Sequence, residues 1–172
     1  GLKRLEYRGY DSAGISILNG QIKTVKKKGK VSKLEAAAKE KDVTGHVGIG
    51  HTRWATHGKP DDLNAHPHLS GNERLALIHN GIIENYSTLK KALLEIGHTF
   101  KSETDTEVLV HLIEEYQRRE NLSLSEAVRR ALEKAIGAYA IVVIDKENPD
   151  VIVGARKSSP MVLGLGDDEY FL

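Results

Sequence analysis

The chain has 172 residues, of which 40% are hydrophobic, and its 25 basic and 24 acidic residues leave a formal net charge of +1. That balance argues against an electrostatic nucleic-acid binder, which carries a strong basic excess. No apolar run approaches the roughly 18 residues of a membrane span and no signal peptide is visible, so no nucleic-acid or membrane partner is expected and a cytoplasmic location is the default. The absence of cysteine excludes a disulfide framework and a thiolate metal site. A chain this long reads as one domain able to bury roughly 70% of its unfolded surface.

Residues 1–7 have helix-like spacing at Leu2 and Leu5, without a starting cap or an initiator Met. Residues 13–18 read as a strand. Asn19-Gly20 follows, then the alternating Ile22, Thr24 and Lys26. This predicts a hairpin whose two turn positions both take positive φ. The lysines at 23, 26, 27, 28 and 30 read as protection of a sheet edge. Ser32 with Glu35 forms a capping-box pattern opening a helix to about 41. Residues 46–54 predict a strand, 60–72 a long loop, 74–79 a strand, and 83–96 a helix closed by Gly97. Thr104 with Glu107 predicts a capped helix to about 119, with Val108, Leu109, Leu112, Ile113 and Tyr116 inward. Ser123 with Glu126 predicts another, with Ala127, Ala131 and Leu132 inward. Strands follow at 138–144, 151–155 and 161–165, separated by Asn148-Pro149-Asp150 and Lys157-Ser158-Ser159-Pro160 as turns. Residues 170–172 open a strand that stops. A piece of a longer polypeptide, short of residues at both ends, is expected. Short turns between strands imply mostly antiparallel pairing, with helices on sheet faces.

Two stretches carry most of the chemistry: His51-Thr52-Arg53-Trp54-Ala55-Thr56-His57-Gly58 and His79-Asn80-Gly81-Ile82-Ile83-Glu84-Asn85. Each follows a predicted strand, where polar groups commonly build a site. Arg53 offers a bidentate anchor for a carboxylate, or a structural ion pair. Asn80-Gly81 offers a side-chain and a backbone N–H side by side, as an oxyanion needs, or a plain turn between a strand and a helix start. Asp105 reads as a helix-capping acid or as the counter-charge of a substrate ammonium. A carboxylate clamp and an ammonium partner together would recognise an α-amino acid. Six of the eight histidines fall between His46 and His79. No His-Glu-x-x-His pattern accompanies them, and neither a metal nor another cofactor is expected. Trp54 packs in a core or belongs to a mobile lid.

With these two stretches, the run Leu5-Glu6-Tyr7-Arg8-Gly9-Tyr10-Asp11-Ser12-Ala13-Gly14, the segment Asn64-Ala65-His66-Pro67-His68 and residues 102–107 closely resemble the glutaminase domains of the glucosamine-6-phosphate synthase family, over essentially the whole chain. The resemblance implies an α+β, four-layer α-β-β-α sandwich of antiparallel sheets, of the N-terminal-nucleophile hydrolase type. It implies hydrolysis of glutamine to glutamate and ammonia for conversion of fructose 6-phosphate to glucosamine 6-phosphate in hexosamine synthesis. The nucleophile it implies is an N-terminal cysteine whose α-amine serves as base, which suits the pKa of such an amine.

Carried over, Arg53 binds the glutamine α-carboxylate and Asp105 its α-ammonium. Asn80 and Gly81 form the oxyanion hole. Trp54, Thr56 and His57 lie on a loop closing over glutamine, and Arg8 supports the nucleophile's end of the chain. The implied partners are glutamine and downstream sugar-phosphate isomerase domains of the same polypeptide, a homo-oligomer at full length. The family's first strand, with its cysteine, is expected before Gly1, so residues 1–172, which hold no cysteine, are expected to be inactive by themselves. Three rivals stand beside this reading: another class II glutaminase domain, a non-catalytic amino-acid-binding module, and a histidine-rich metal protein.

Overall fold

The structure is a computed structural model describing residues 1–172. A short helix, α1 (Leu2–Leu5), and a 3-10 turn (Glu6–Arg8) lead into a hairpin of β1 (Ser12–Asn19) and β2 (Gln21–Lys28). Leu18 lies opposite Ile22 and Asn19 opposite Gln21. Only Gly20 takes a positive φ, 67°, so one left-handed glycine makes the turn rather than the two left-handed positions expected of Asn-Gly. Helix α2 (Val31–Glu40) forms where predicted, but Ser32 lies inside it and does not cap it. The Glu6 carboxylate accepts the Val31 N–H at 3.3 Å instead, meeting a free helix-start donor from a distant part of the chain.

Strand β3 (Val47–Arg53) completes a three-stranded antiparallel sheet, β2-β1-β3. β2 is an edge, as its lysines suggested, but the lysines are not merely solvated. Lys26 Nζ donates to the Leu63 carbonyl at 2.8 Å, and the Lys28 N–H donates to Asp62 Oδ1 at 2.6 Å. The 61–63 loop therefore covers this edge. Burial pushes the Lys26 ammonium down to about 8, against the pull of Glu107, Asp61 and Asp62.

The second sheet runs β4 (His68–Leu69), β5 (Leu75–Ile83), β6 (Gly137–Asp145), β7 (Asn148–Lys157), with every neighbour antiparallel. β4 falls within the stretch read as a long loop. The turn after β6 lies at Lys146-Glu147, and Asn148 already opens β7, contrary to the turn expected at Asn148-Pro149-Asp150. Asp145 causes this: its carboxylate accepts the Glu147 N–H at 2.9 Å and both arms of Arg74 at 2.8 and 2.7 Å. A small ribbon of β8 (Gly164–Leu165) and β9 (Tyr170–Phe171) ends the chain.

Helix α3 (Tyr86–Glu95) starts later than predicted because β5 runs on to Ile83. It closes as predicted at Gly97, φ 96°, with Gly97 N–H to the Leu94 carbonyl and His98 N–H to the Leu93 carbonyl. Helix α4 (Glu107–Glu120) does not use the expected capping box; Glu107 instead accepts the N–H groups of Lys101 and Ser102 at 2.8 and 2.7 Å. Helix α5 (Leu124–Lys134) does, with Ser123 Oγ accepting the Glu126 N–H at 3.3 Å. No helix is long and apolar enough to cross a membrane.

Alternation along the strands builds the layers. Leu75 and Leu77 of β5 and Ile141 and Val143 of β6 face Val108, Leu109, Ile113, Ala127 and Ala131 of α4 and α5. Their neighbours Ala76 and Ile144 face Leu18 and Ile49 of the first sheet. Val31 and Leu34 of α2 pack on the outer side of that sheet against Ala13 and Val25. The result is the expected α-β-β-α order. Each fully buried leucine or isoleucine contributes about 1.5–3 kcal/mol.

Two glycines permit β5 and β6 to approach. Gly81 has φ 138°, and a Cβ there would sit 2.1 Å from the Ala138 carbonyl oxygen. Gly137 has φ 133° and meets the Ile82 carbonyl in the same way. Gly81→Ala should therefore cost about 2–4 kcal/mol through strain and displacement of β6. Urea unfolding measures this, and a change under about 0.5 kcal/mol, the range of an ordinary surface substitution, would refute the close approach.

Candidate functional site

A cavity of about 250 Å³ opens where the ends of β3 and β5 meet the segment before α4. Seven of the eight predicted site residues line it: Arg8, Arg53, Trp54, Thr56, Asn80, Gly81 and Asp105. The eighth, His57, stands behind them, with Nδ1 4.0 Å from Asp105 Oδ1 and its ring edge-on to Tyr86. The pairing of β1 with β3 carries Arg53 to this place, and the reach of β5 carries Asn80 and Gly81.

Arg53 is 4% exposed. Its Nη2 donates to the carbonyls of His57 and Gly58, while Nη1 is buried with no protein partner. The fork is thus divided: one arm shapes the following loop and the other stays free. Of the two arms that a bidentate carboxylate anchor would use, one is therefore already engaged by the protein. A free buried guanidinium N–H facing a cavity is a strong carboxylate donor.

Asp105 is likewise 4% exposed and is not a helix cap. Its Oδ2 accepts the Ile83 N–H at 2.8 Å, fastening the end of β5 to the 102–106 segment. Asn80 and Gly81 lie within β5, opposite Ala140 and Tyr139 of β6, rather than between a strand and a helix start. Helix α3 starts only at Tyr86, five residues after Gly81.

Trp54 is 62% exposed and meets Tyr10 edge to face at 5.3 Å, so it is no part of the core. The loop that carries it is tied down by Asp11, whose carboxylate accepts the Ala55 N–H. Asp11 is a positioning residue that sequence reasoning missed; the contact spans 44 residues and has no local signal. Asn64 is another. Its Oδ1 accepts the Glu103 N–H at 2.8 Å and its Nδ2 donates to the Lys59 carbonyl at 3.0 Å. It therefore joins the loop touching Arg53 to the loop carrying Asp105.

Beneath the cavity lies a cluster of buried histidines. Thr106 Oγ1 is 2.9 Å from His66 Nε2 and 2.9 Å from His79 Nδ1, so the hydroxyl donates to one ring and accepts from the other. Burial, with the neighbouring histidines and Arg53, holds His66 well below the usual imidazole range. Burial, His79 and Arg53 lower His51 to about 4. The floor is therefore neutral, and Arg8, Arg53 and Asp105 set the charge of the cavity. Apart from His111 Nε2, the buried side-chain polar atoms without a protein partner belong to residues that line this cavity, Arg53 Nη1, His51 Nδ1, His66 Nδ1 and His79 Nε2, or to His57, whose Nδ1 lies 4.0 Å from the lining residue Asp105. Such atoms gathered at one cavity call for a polar ligand.

The sequence profile of the glutamine amidotransferase domain matches residues 21–157. A glutamine–fructose-6-phosphate aminotransferase (isomerizing) of Bacteroides thetaiotaomicron is 60% identical over 174 residues, covering 100% of this chain and 28% of that protein. One from Chlorobaculum tepidum is 56% identical over 179 residues, covering 100% and 29%. The chain thus spans less than a third of the length of these relatives. Among solved structures, glutamine phosphoribosylpyrophosphate amidotransferase from B. subtilis, complexed with ADP and GMP, superposes with a TM-score of 0.83 at 31% identity, over 98% of this chain and 36% of that one. An allosteric regulatory enzyme of purine biosynthesis gives 0.72 at 34% identity, over 84% and 31%.

Proposed function

The chain belongs to the glutamine amidotransferase family, and from that premise we propose that its cavity binds glutamine for hydrolysis to glutamate and ammonia, the ammonia serving to convert fructose 6-phosphate into glucosamine 6-phosphate. The observation that carries this reading is the pair of opposite charges buried in the lining of one cavity, Arg53 with Nη1 unpartnered and Asp105. An α-amino acid presents a carboxylate to the first and an ammonium to the second. The side-chain amide of Asn80 and the backbone N–H of Gly81 would stabilise the oxyanion as the amide carbonyl is attacked. Trp54, Thr56 and His57 belong to the loop over the bound amino acid, and Arg8 supports the site from the 3-10 turn.

Supplying ammonia to fructose 6-phosphate is favoured over purine synthesis by the relatives: 60% and 56% identity to aminotransferases of that name, against 31% and 34% to the purine enzymes. In this proposal the ammonia passes to sugar-phosphate isomerase domains of the same polypeptide, a homo-oligomer at full length. The sequence contains no cysteine, so its own residues bind and polarise glutamine and supply no thiolate to attack it. The chain should bind glutamine without releasing ammonia.

Calorimetry tests this. Glutamine should bind at one per chain, and Asp105→Asn should weaken it about 10- to 100-fold, the range of a lost charge-assisted contact. Asparagine keeps an oxygen for the Ile83 N–H, so the fold is retained. Failure of the unaltered chain to bind glutamine, or equal binding by Asp105→Asn, would count against the proposal.

A further inference from the structure

Two of the histidines outside the cavity floor lie together, their ring centroids 5.1 Å apart. His98 follows Gly97 at the end of α3, and His111 sits in α4 three residues before Glu114. That spacing puts His111 and Glu114 on one helix face, and the turn at Gly97 brings His98 onto it. His98 Nδ1 is 3.3 Å from His111 Nδ1. Glu114 Oε2 is 3.4 Å from His111 Nδ1 and 3.7 Å from His98 Nδ1. Tetrahedral bonds of about 2.0–2.1 Å place ligand atoms about 3.3–3.4 Å apart. The nearest point equidistant from these three atoms, in their plane, lies about 2.0 Å from each, so an ion slightly out of the plane keeps the bonds of about 2.0–2.2 Å that zinc takes to imidazole and carboxylate.

Each of the three groups also has a neighbour outside the triangle. His98 Nε2 lies 3.0 Å from Glu115 Oε2, itself paired with Arg118 at 2.7 Å. His111 Nε2 is buried, 3.6 Å from Glu107 Oε1 and otherwise without a partner. The N–H groups of Lys101 and Ser102 anchor Glu107 in turn. Glu114 accepts the Gly71 and Asn72 N–H groups at 3.0 Å each. A carboxylate behind each imidazole, and hydrogen bonds behind the carboxylate, are the outer partners that orient metal ligands. Hydrogen bonding among the three inner atoms is poor by comparison: two facing imidazole nitrogens share one hydrogen, which leaves the glutamate oxygen only a long contact.

We propose that His98 Nδ1, His111 Nδ1 and Glu114 Oε2 bind one zinc-class divalent cation, with water completing its coordination, at a site separate from the glutamine cavity. The ion joins the end of α3, the middle of α4 and the 71–72 turn. Through Glu107 and Ser102 Oγ, 2.6 Å apart, it also braces the segment leading to Asp105. The sequence directs a search for metal to the histidines between 46 and 79 and not to this pair, because one ligand lies in the loop after α3, the other two lie in α4, and they share no contiguous motif.

The purified protein, stripped with a chelator, is titrated with Co²⁺ and followed by visible absorption, then challenged with Zn²⁺. One Co²⁺ per chain is expected, with the bands of a four-coordinate nitrogen–oxygen site, bleached by one equivalent of Zn²⁺. His98→Ala should weaken Co²⁺ binding 100-fold or more, and Zn²⁺ should raise the Tm of the unaltered protein but not of the variant. Glu114→Gln, which preserves side-chain volume, gives the same readout should His98→Ala fail to fold. Absence of saturable binding, or undiminished binding in a folded variant, overturns the site and leaves a hydrogen-bonded charge cluster.

Discussion

Arg53→Ala should weaken glutamine binding by 100-fold or more, and Arg53→Lys should recover little of the loss. A charge pair removed on one side in a desolvated setting costs about 2–5 kcal/mol, which is roughly 30-fold to several thousand-fold in affinity. Arg53 has a second duty that lysine cannot perform. Nη2 donates to both the His57 and Gly58 carbonyls, and a single ammonium on a flexible stem does not reproduce two planar arms pointing at loop and substrate together. The two contributions separate with a ligand lacking the α-carboxylate, 4-aminobutanamide. It should bind the unaltered chain weakly, and Arg53→Ala should weaken it little further. If the substitution instead weakens both ligands equally, Arg53 acts only through the loop and the carboxylate assignment is wrong.

The parts of this site that were legible in the sequence are those whose residues stand next to one another. Arg53 with its loop, Asn80 with Gly81, and Asp105 each sit in a short run that reads locally, and the cavity gathers all of them. What escaped depends on contacts across the chain. Asp11 reaches Ala55, Asn64 reaches Glu103, and Thr106 reaches His66 and His79; no residue type at any of these positions announces its partner. The same cause explains the errors in local structure. Thr104 and Glu107 have capping-box spacing, but the Glu107 carboxylate goes to Lys101 and Ser102 because the loop folds back under it. Asn80-Gly81 has turn chemistry, but β6 pairs straight through it, with glycine supplying the space against Ala138. Ser123 with Glu126 is a cap because its only other side-chain partner is the neighbouring Ser125 hydroxyl, and no contact from across the chain draws it away. Local rules hold where tertiary contacts leave them alone.

Acidification from pH 7 to pH 5 should remove much of the chain's stability, and the histidine floor is the reason. Burial is the first cause at His51, His66, His68 and His79, and all four are held below their ordinary value. Unfolded, each titrates near 6.5. A base whose folded pKa is depressed contributes its full stability above the unfolded pKa and loses it as pH falls, because the unfolded chain takes up protons that the folded chain refuses. Between about 6.5 and the folded value, each such histidine removes about 1.4 kcal/mol per pH unit. With His51 at about 4, its share at pH 5 is about 2 kcal/mol, and His66, His68 and His79 act in the same direction. His111 works the other way. Burial lowers it, but Glu107 and Glu114 raise it overall, so it gains stability as pH falls. Glu107, held at about 2 against its own burial by His111 and the 101–102 amides, stays ionised throughout. Against a total of about 5–15 kcal/mol for a domain, the histidine loss is large. Urea unfolding at pH 7.5, 6.5, 5.5 and 5.0 measures the slope, and His51→Gln should flatten it by about one proton even if it lowers stability at every pH. Stability that stays level from pH 7 to 5 would mean the histidines titrate as solvated imidazoles, mostly neutral at pH 7 and charged at pH 5, where such a floor would repel the glutamine ammonium.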